Sequence, residues 1–140
     1  MNNKNITITA NSKIIFDRIF NSRGDAISYN MTNGVITLKG RPNHPRCFRI
    51  TLNAKLKVST WADLRLRITG STDGNYIGQR VEYNAVTSSV YENSDAAIDY
   101  ILTAQAGTTR DIELYTATVN STANPNHLMA NQCSFIIQEI

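Results

Sequence analysis

The amino-acid sequence predicts an all-β domain, built as a sandwich or barrel of about eight to ten strands. The strongest observation is the strict alternation of apolar and polar residues from Phe48 to Val58, which is typical of a strand with one buried face. A shorter alternation of the same kind follows at residues 64–68. Turn-forming Gly, Asn and Pro residues separate the apolar segments at intervals of roughly ten residues, which favours many short strands.

Composition and charge indicate one folded domain. Of the 140 residues, 41% are hydrophobic and 18% are charged, and this length supports a core without metal or disulfide help. The net charge of +3 is too mild to indicate a nucleic-acid-binding protein. No stretch is long and apolar enough for a transmembrane helix, so membrane insertion is not expected. Residues 1–5 lack the apolar core of a signal peptide, which predicts synthesis in the cytoplasm unless a precursor has been trimmed.

The first apolar segments are short. Ile6–Thr9 alternates and is interpreted as a small edge strand or an anchoring tail. We therefore expect an N-terminal tail at residues 1–12, which is a candidate attachment segment, and a head domain at residues 13–140. Lys13–Asp17 is predicted to be a strand with two apolar faces, while Ile14–Phe20 also fits one face of a helix and that alternative stays open.

Two more strands are predicted before the long one. Ile27–Tyr29 alternates briefly, and the pair Asn33 and Gly34 is a strong signal for a tight turn. Val35–Leu38 is interpreted as a strand, and the two prolines in Gly40–Pro45 predict a loop.

The shorter alternation predicts that Leu64, Leu66 and Ile68 face inward while Arg65 and Arg67 face outward.

A simple hairpin between this strand and the long one is disfavoured. It would place Lys57 opposite Arg65 and Lys55 opposite Arg67, and directly opposed like charges destabilise a strand pair. We therefore expect the chain to cross from one sheet to the other, which is jelly-roll topology.

The second half of the sequence continues the pattern of short strands. The predicted strands are Val81–Tyr83, Ser88–Tyr91, Ala97–Ala104, Ile112–Val119 and Cys133–Ile140, with a polar loop at Asn120–His127. In Ala97–Ala104, Ile98, Tyr100 and Leu102 share one face. Ser94 is also a suitable N-cap for a helix through Leu102, so a helix remains an alternative there.

The order of several short motifs resembles a known family. They are Phe16, the run Asn33-Gly34-Val35-Ile36, Phe48, Leu102 followed by Ala106-Gly107, Ile112-Glu113-Leu114 and the ending Ser134-Phe135-Ile136-Ile137. Their order is similar to that in the tumour necrosis factor-like and complement globular-head jelly rolls, and the similarity spans residues 13–140. Pro42–Arg46 departs from the tighter turn of complement heads. Small trimeric heads of this kind also resemble the knobs of bacteriophage fibres and spikes.

The resemblance implies a two-sheet antiparallel sandwich of about ten strands that assembles as a homotrimer. It also implies that the strands carrying Cys47 and Cys133 are antiparallel neighbours with the cysteines at opposite ends, so both thiols are expected to be free. With only these two cysteines, a disulfide scaffold and a cysteine zinc site are excluded.

Two segments are apolar on both faces and are candidates for the trimer interface. Their residues are Ile14, Ile15, Phe16, Phe135, Ile136 and Ile137. In a sandwich strand, a second apolar face needs a second cover, and a neighbouring subunit is the simplest one. The alternative is that loops of the same chain cover it.

Arg49, Lys55 and Lys57 form a candidate basic face on the long strand. Under the resemblance this face lies towards the trimer axis, where the charges need acids or a bound anion. Asp99 and Glu139 are the expected acids. The alternative is a solvated face.

Other candidate sites are fewer. Trp61, Tyr76, Tyr83 and Tyr91 lie in or near predicted loops and are candidates for surface binding, with rim packing as the alternative. His44 and His127 have no acid or cysteine at ligand spacing, so we expect no metal site, cofactor or catalytic residue.

These observations favour a non-enzymatic, trimeric virion surface protein of a bacteriophage. It would be a capsid fibre head, decoration protein or tail-tip knob, with other virion proteins and a host-surface glycan or protein as candidate partners. The alternatives are a secreted complement-like or lectin-like ligand-binding module and an enzyme on a β-barrel. The first needs a signal peptide, and the second needs a catalytic constellation that the sequence lacks.

Overall fold

The computed structural model of the 140-residue chain describes residues 6–8, 12–16, 24–58, 61–69, 81–84, 92–116, 119–120, 126–128 and 133–140. Every regular element in these ranges is a β-strand, and the strands form two antiparallel sheets. In chain order the strands are β1 (Ile6–Ile8), β2 (Ser12–Lys13), β3 (Ile27–Tyr29), β4 (Ile36–Lys39), β5 (Arg46–Val58), β6 (Trp61–Ile68), β7 (Val81–Asn84), β8 (Glu92–Ala104), β9 (Thr109–Thr116), β10 (Val119–Asn120), β11 (Asn126–Leu128) and β12 (Ser134–Glu139). The prediction of an all-β antiparallel sandwich is confirmed at this level.

The first sheet, called sheet I, has five strands with β5 at its centre. β8 pairs with β5 along its full length, from Arg46 opposite Ala104 to Val58 opposite Glu92. β12 and β11 therefore share the other edge of β5, one beside its first half and the other beside residues 56–57. β1 pairs with β11 and ends this side of the sheet. Of the two alternatives for the first alternating segment, the edge strand is the one observed.

The second sheet, called sheet II, has seven strands and is built around the direct pair β6–β9. β4 and β2 pair with β9, and β3 extends the sheet beyond β4. β7 and β10 pair with β6. The predicted tight turn joins β3 to β4: Gly34 has a φ of 73°, and the side-chain oxygen of Asn30 accepts hydrogen bonds from the backbone N–H groups of Thr32 and Asn33 at 2.9 and 3.3 Å.

The chain crosses from sheet I to sheet II after β5, as the like-charge argument predicted. β6 and β7 lie in sheet II, β8 returns to sheet I, and β9 lies in sheet II again. As a result, Lys55 is in register with Asp95, and Arg67 is in register with Glu113. The crossing therefore places an acid opposite each of these basic residues, where a simple hairpin would have opposed them to each other.

The hydrophobic core lies between the two sheets. Phe48, Ile50 and Leu52 on β5 are fully buried, and Leu64 and Leu66 on β6 meet them from the other sheet. Each such side chain contributes about 1.5–3 kcal/mol through burial. The inward face predicted from the long alternation is confirmed through Leu56, since the side chain of Val58 lies outside the described residues.

Residues 14–16, which follow β2, pack into this core, although not every one of them pairs with a neighbouring strand. Ile14 and Phe16 are buried, and the Phe16 ring lies 5.8 Å from the Phe135 ring, centroid to centroid. The Tyr29 hydroxyl accepts a hydrogen bond from the Phe16 N–H at 2.7 Å and donates one to the Phe16 carbonyl at 3.1 Å. One side chain thus satisfies both backbone groups of a core residue that no strand partner serves.

Several sequence predictions were wrong. Ile68 was predicted to face inward but is 39% exposed, because β6 ends there. Arg65 was predicted to face outward, and its place between the buried Leu64 and Leu66 agrees with that direction, but the side chain is only 5% exposed. The helix through Leu102 is wrong because β8 spans the segment, and the polar loop Asn120–His127 contains the beginning of β11. The predicted strand Ser88–Tyr91 lies outside the described residues.

Candidate protein-interaction surface

The face of sheet I that points away from the core, called here the outer face of sheet I, carries the candidate site. Because side chains alternate along a strand, burial of Phe48, Ile50 and Leu52 places Arg49 and Thr51 on this outer face. β8 and β12 flank this part of β5 on its two sides. Three strands therefore present their outward positions side by side.

Three isoleucines on this surface are more than half exposed. Ile101 on β8 is 58% exposed, Ile136 on β12 is 51% exposed, and Ile140, just after β12, is 59% exposed. We call them the isoleucine patch. The register places Ile101 opposite Arg49 and Ile136 opposite Thr51, so the two side chains lie on either side of β5. Sheets that face water usually place polar residues at such positions.

An ion pair lies within the isoleucine patch. Arg49 donates hydrogen bonds from Nε to Asp99 Oδ1 at 3.0 Å and from Nη2 to Asp99 Oδ2 at 2.7 Å. The pair is diagonal, because the register partner of Asp99 is Thr51. Hydrogen bonding from Arg49 holds the pKa of Asp99 below its ordinary value, and the same bond raises the pKa of Arg49. Asp99 thus neutralises Arg49, as the sequence led us to expect.

Around this pair the surface forms an open depression of about 460 Å³. Its lining residues are Arg49, Asp99, Tyr100, Ile101, Gln138 and Ile140. It combines an apolar rim with one positive and one negative side chain, which is a composition suited to contact with another protein.

The rest of the candidate basic face has a different surrounding. Lys55 is half-buried and lies opposite Asp95, whereas the side chain of Lys57 lies outside the described residues. Glu139, the second expected acid, does not reach Arg49. It accepts a hydrogen bond from Arg41 Nη2 at 3.2 Å and lies 3.5 Å from Arg46 Nε.

The predicted trimer-interface residues divide between core and surface. Ile14 and Phe16 are buried within the chain, and Ile15 is half-buried. Phe135 and Ile137 are also half-buried and pack against the core. Of the six candidates, only Ile136 is more than half exposed. Sequence reasoning missed Ile101, although its position between Tyr100 and Leu102, which were predicted to share one face, was a signal that it lies on the other; Leu102 is buried, but Tyr100 is 36% exposed.

The other candidates contribute less. Trp61 and Tyr83 lie on the paired strands β6 and β7, but their side chains are outside the described residues, as are Tyr76 and Tyr91 altogether. His44 is exposed. Within the described ranges, no group of three or more His, Cys, Asp or Glu side chains is arranged to hold a metal ion. That part of the chain also contains no helix long and apolar enough to cross a membrane.

A second charged cluster lies on the outer face of sheet II, and it is buried. Glu113 is fully buried; its Oε1 accepts a hydrogen bond from Arg67 Nε at 2.7 Å, and its Oε2 lies 3.1 Å from Lys13 Nζ. The Arg67 guanidinium also stacks 3.3 Å above the ring of Tyr115, which is itself buried. These polar groups are enclosed by the chain and offer little surface to a partner.

The described residues thus define an antiparallel, all-β sandwich whose outer surfaces differ, one with a buried charge cluster and one with an exposed apolar patch. No protein-family model matches the chain, and no curated protein matches its sequence.

Proposed function

We propose that the protein is a non-enzymatic, trimeric jelly-roll head on the surface of a bacteriophage virion. It serves as a capsid fibre head, a decoration protein or a tail-tip knob, with a structural or host-binding role. The chain is made in the host cytoplasm and joins other virion proteins during assembly.

The strand order supports the jelly-roll part of this proposal. In sheet II the neighbours run β4, β9, β6 and β7, and in sheet I they run β12, β5 and β8. The chain crosses between the sheets after β5, after β7 and after β8. Strands that are distant in sequence, such as β4 and β9, therefore become neighbours. Two interleaved Greek keys produce this arrangement.

The isoleucine patch is the observation that carries the trimer. Isolated surface hydrophobic residues are ordinary, but contiguous apolar surface rimmed by polar groups is typical of an interaction site. Ile101 and Ile140 line the same depression, and Ile136 lies across β5 from Ile101, so three exposed isoleucines share one face of three neighbouring strands. A second and third copy of the chain would cover them by packing on the face of the sheet, where the backbone groups of β5 already pair with β8 and β12.

Light scattering coupled to size exclusion tests the oligomer. We expect a mass near three times the 15.6 kDa of one chain at micromolar concentration. Ile136→Asp should dissociate the trimer, since a carboxylate buried in a contact without a partner costs several kcal/mol or more. Met31→Asp is the matched control, because Met31 is equally exposed at 53% but lies in the turn between β3 and β4. A folded monomer of the unaltered chain would refute the trimer.

Immunogold labelling of purified phage particles tests the location. Gold at the capsid or tail supports the proposal, and particles without the protein exclude a virion role. A glycan array then separates host-surface binding from a purely structural role. Specific glycan binding by a protein absent from particles would instead favour a lectin-like module.

A further inference from the structure

The isoleucine patch is not uniformly apolar, and its polar centre restricts which partner it fits. The two charges there, Arg49 and Asp99, cancel. A uniformly negative surface, such as nucleic acid or an anionic membrane, would attract Arg49 but be repelled by Asp99. A second copy of the patch offers both signs in equal number. Charge complementarity therefore favours self-contact over a strongly charged partner.

The ion pair also has bonding capacity left over. An arginine side chain carries five N–H donors, and Arg49 uses one at Nε and one at Nη2 towards Asp99. Each Asp99 oxygen accepts one of these bonds and retains capacity for another. The two side chains are 50% and 54% exposed, so water serves these remaining sites in the separate chain. If a contact excludes that water, each remaining donor needs a new acceptor, because unsatisfied buried groups are costly.

We propose that Arg49 and Asp99 form a polar lock between copies, in which Arg49 of one chain pairs with Asp99 of the next where the isoleucine patches meet around the trimer axis. This deepens the trimer proposed above and rests on it for the number of copies. The lock supplies the remaining acceptors from a second Asp99 and the remaining donors from a second Arg49. It also fixes the orientation of the copies, which three isoleucines alone would leave free to slide.

Charge reversal tests the lock. Arg49→Glu makes the patch purely acidic, and Asp99→Arg makes it purely basic. Each variant alone should lose self-association by at least tenfold, because like charges then face each other across the contact. Combining both reversals in one chain should restore association, since every contact between copies then again joins an acid to a base. Restoration in this double variant, with both single variants folded, identifies charge pairing as the cause of the loss.

The matched control is Arg41→Glu. Arg41 belongs to another exposed ion pair, with Glu139, and is 55% exposed, but it does not line the depression. Its self-association should equal that of the unaltered protein. Should either reversal prevent folding, as judged by circular dichroism, the neutral pair Arg49→Gln and Asp99→Asn replaces it. Each neutral variant alone should then weaken association, and the loss should shrink at high salt.

The outcomes are measured by sedimentation velocity. Folded single variants that assemble as the unaltered protein does, or a folded double variant that stays dissociated, overturn the lock while leaving the trimer intact. Neutral variants that assemble normally overturn it equally. A chain that assembles through this charge pattern into a dimer or hexamer supports the lock and refutes the trimer. A monomeric unaltered chain refutes both.

Discussion

Neutralising Glu113 is expected to be the most damaging single charge change in the described part of the chain. Glu113 is fully buried, between Arg67 at 2.7 Å and Lys13 at 3.1 Å. Glu113→Gln keeps the shape of the side chain but removes its charge. Two cations would then share a neutral acceptor in a site that water does not reach.

The magnitude follows from how exposed the two cations are. Removing one partner of a buried ion pair typically costs about 3–5 kcal/mol. The Arg67 side chain is only 12% exposed, so it cannot recover its hydration, whereas Lys13 is 34% exposed and can turn to solvent. We therefore expect the lower end, roughly 3 kcal/mol in the free energy of unfolding. For a domain of this size that is a fall in Tm of about 10 °C.

Chemical denaturation at pH 7 measures this cost. The matched control is Asp25→Asn, also an acid-to-amide change, at a side chain that is 87% exposed and 3.9 Å from Arg46. Such a surface pair contributes about 0–1 kcal/mol, so the control should match the unaltered protein closely. If Glu113→Gln unfolds within about 1 kcal/mol of the control, the buried cluster does not stabilise sheet II as argued.

Three further predictions concern other parts of the chain. Gly40→Ala should destabilise the fold strongly, as measured by thermal unfolding, because a Cβ there would lie 2.0 Å from a backbone carbonyl oxygen; an unchanged Tm would contradict that packing. Burial raises the pKa of the Cys133 thiol, so iodoacetamide at pH 8 should alkylate the more exposed Cys47 first, and equal rates would contradict the burial. In a pH titration followed by NMR, Asp99 should titrate below its ordinary pKa, because Arg49 stabilises the carboxylate. The contribution of Asp99 to stability is then full above a pH of about 3.9 and is lost as the pH falls through the lowered pKa. An unshifted titration would contradict the ion pair.

Alternation along the sequence predicted the strands well where one face meets the core. In β5 the pattern identified every buried residue from Phe48 to Leu56, and the opposed charges of a hypothetical hairpin predicted the crossing to sheet II. Both inferences depend only on neighbours along one strand or between two. The expectation of two free thiols came from the family resemblance and not from the alternation. It is confirmed, since Cys47 and the position opposite Cys133 are about seven residues, or roughly 23 Å, apart along β5.

The candidate site was less accessible to this reasoning. An alternation with a period of two residues indicates on which face of a sheet a side chain lies. It does not indicate whether another part of the chain covers that face. Arg65 was expected to face outward and is buried, whereas Ile101 was overlooked and is exposed. Most of the apolar surface of Ile14–Phe16 is buried in the core of the same chain. Cover depends on residues distant in sequence, so only the folded chain reveals it.

The two outer faces differ in how well they suit the proposed assembly. On sheet II the outward residues Arg67 and Glu113 are charged, and each is the other's buried partner within the chain. On sheet I the outward isoleucines need no such partner, and each gains about 25 cal/mol for every square ångström of apolar surface removed from water. Arg49 and Asp99 also oppose desolvation there, but they do so as a neutral pair. A second copy therefore gains most by binding sheet I, provided that it matches those two charges.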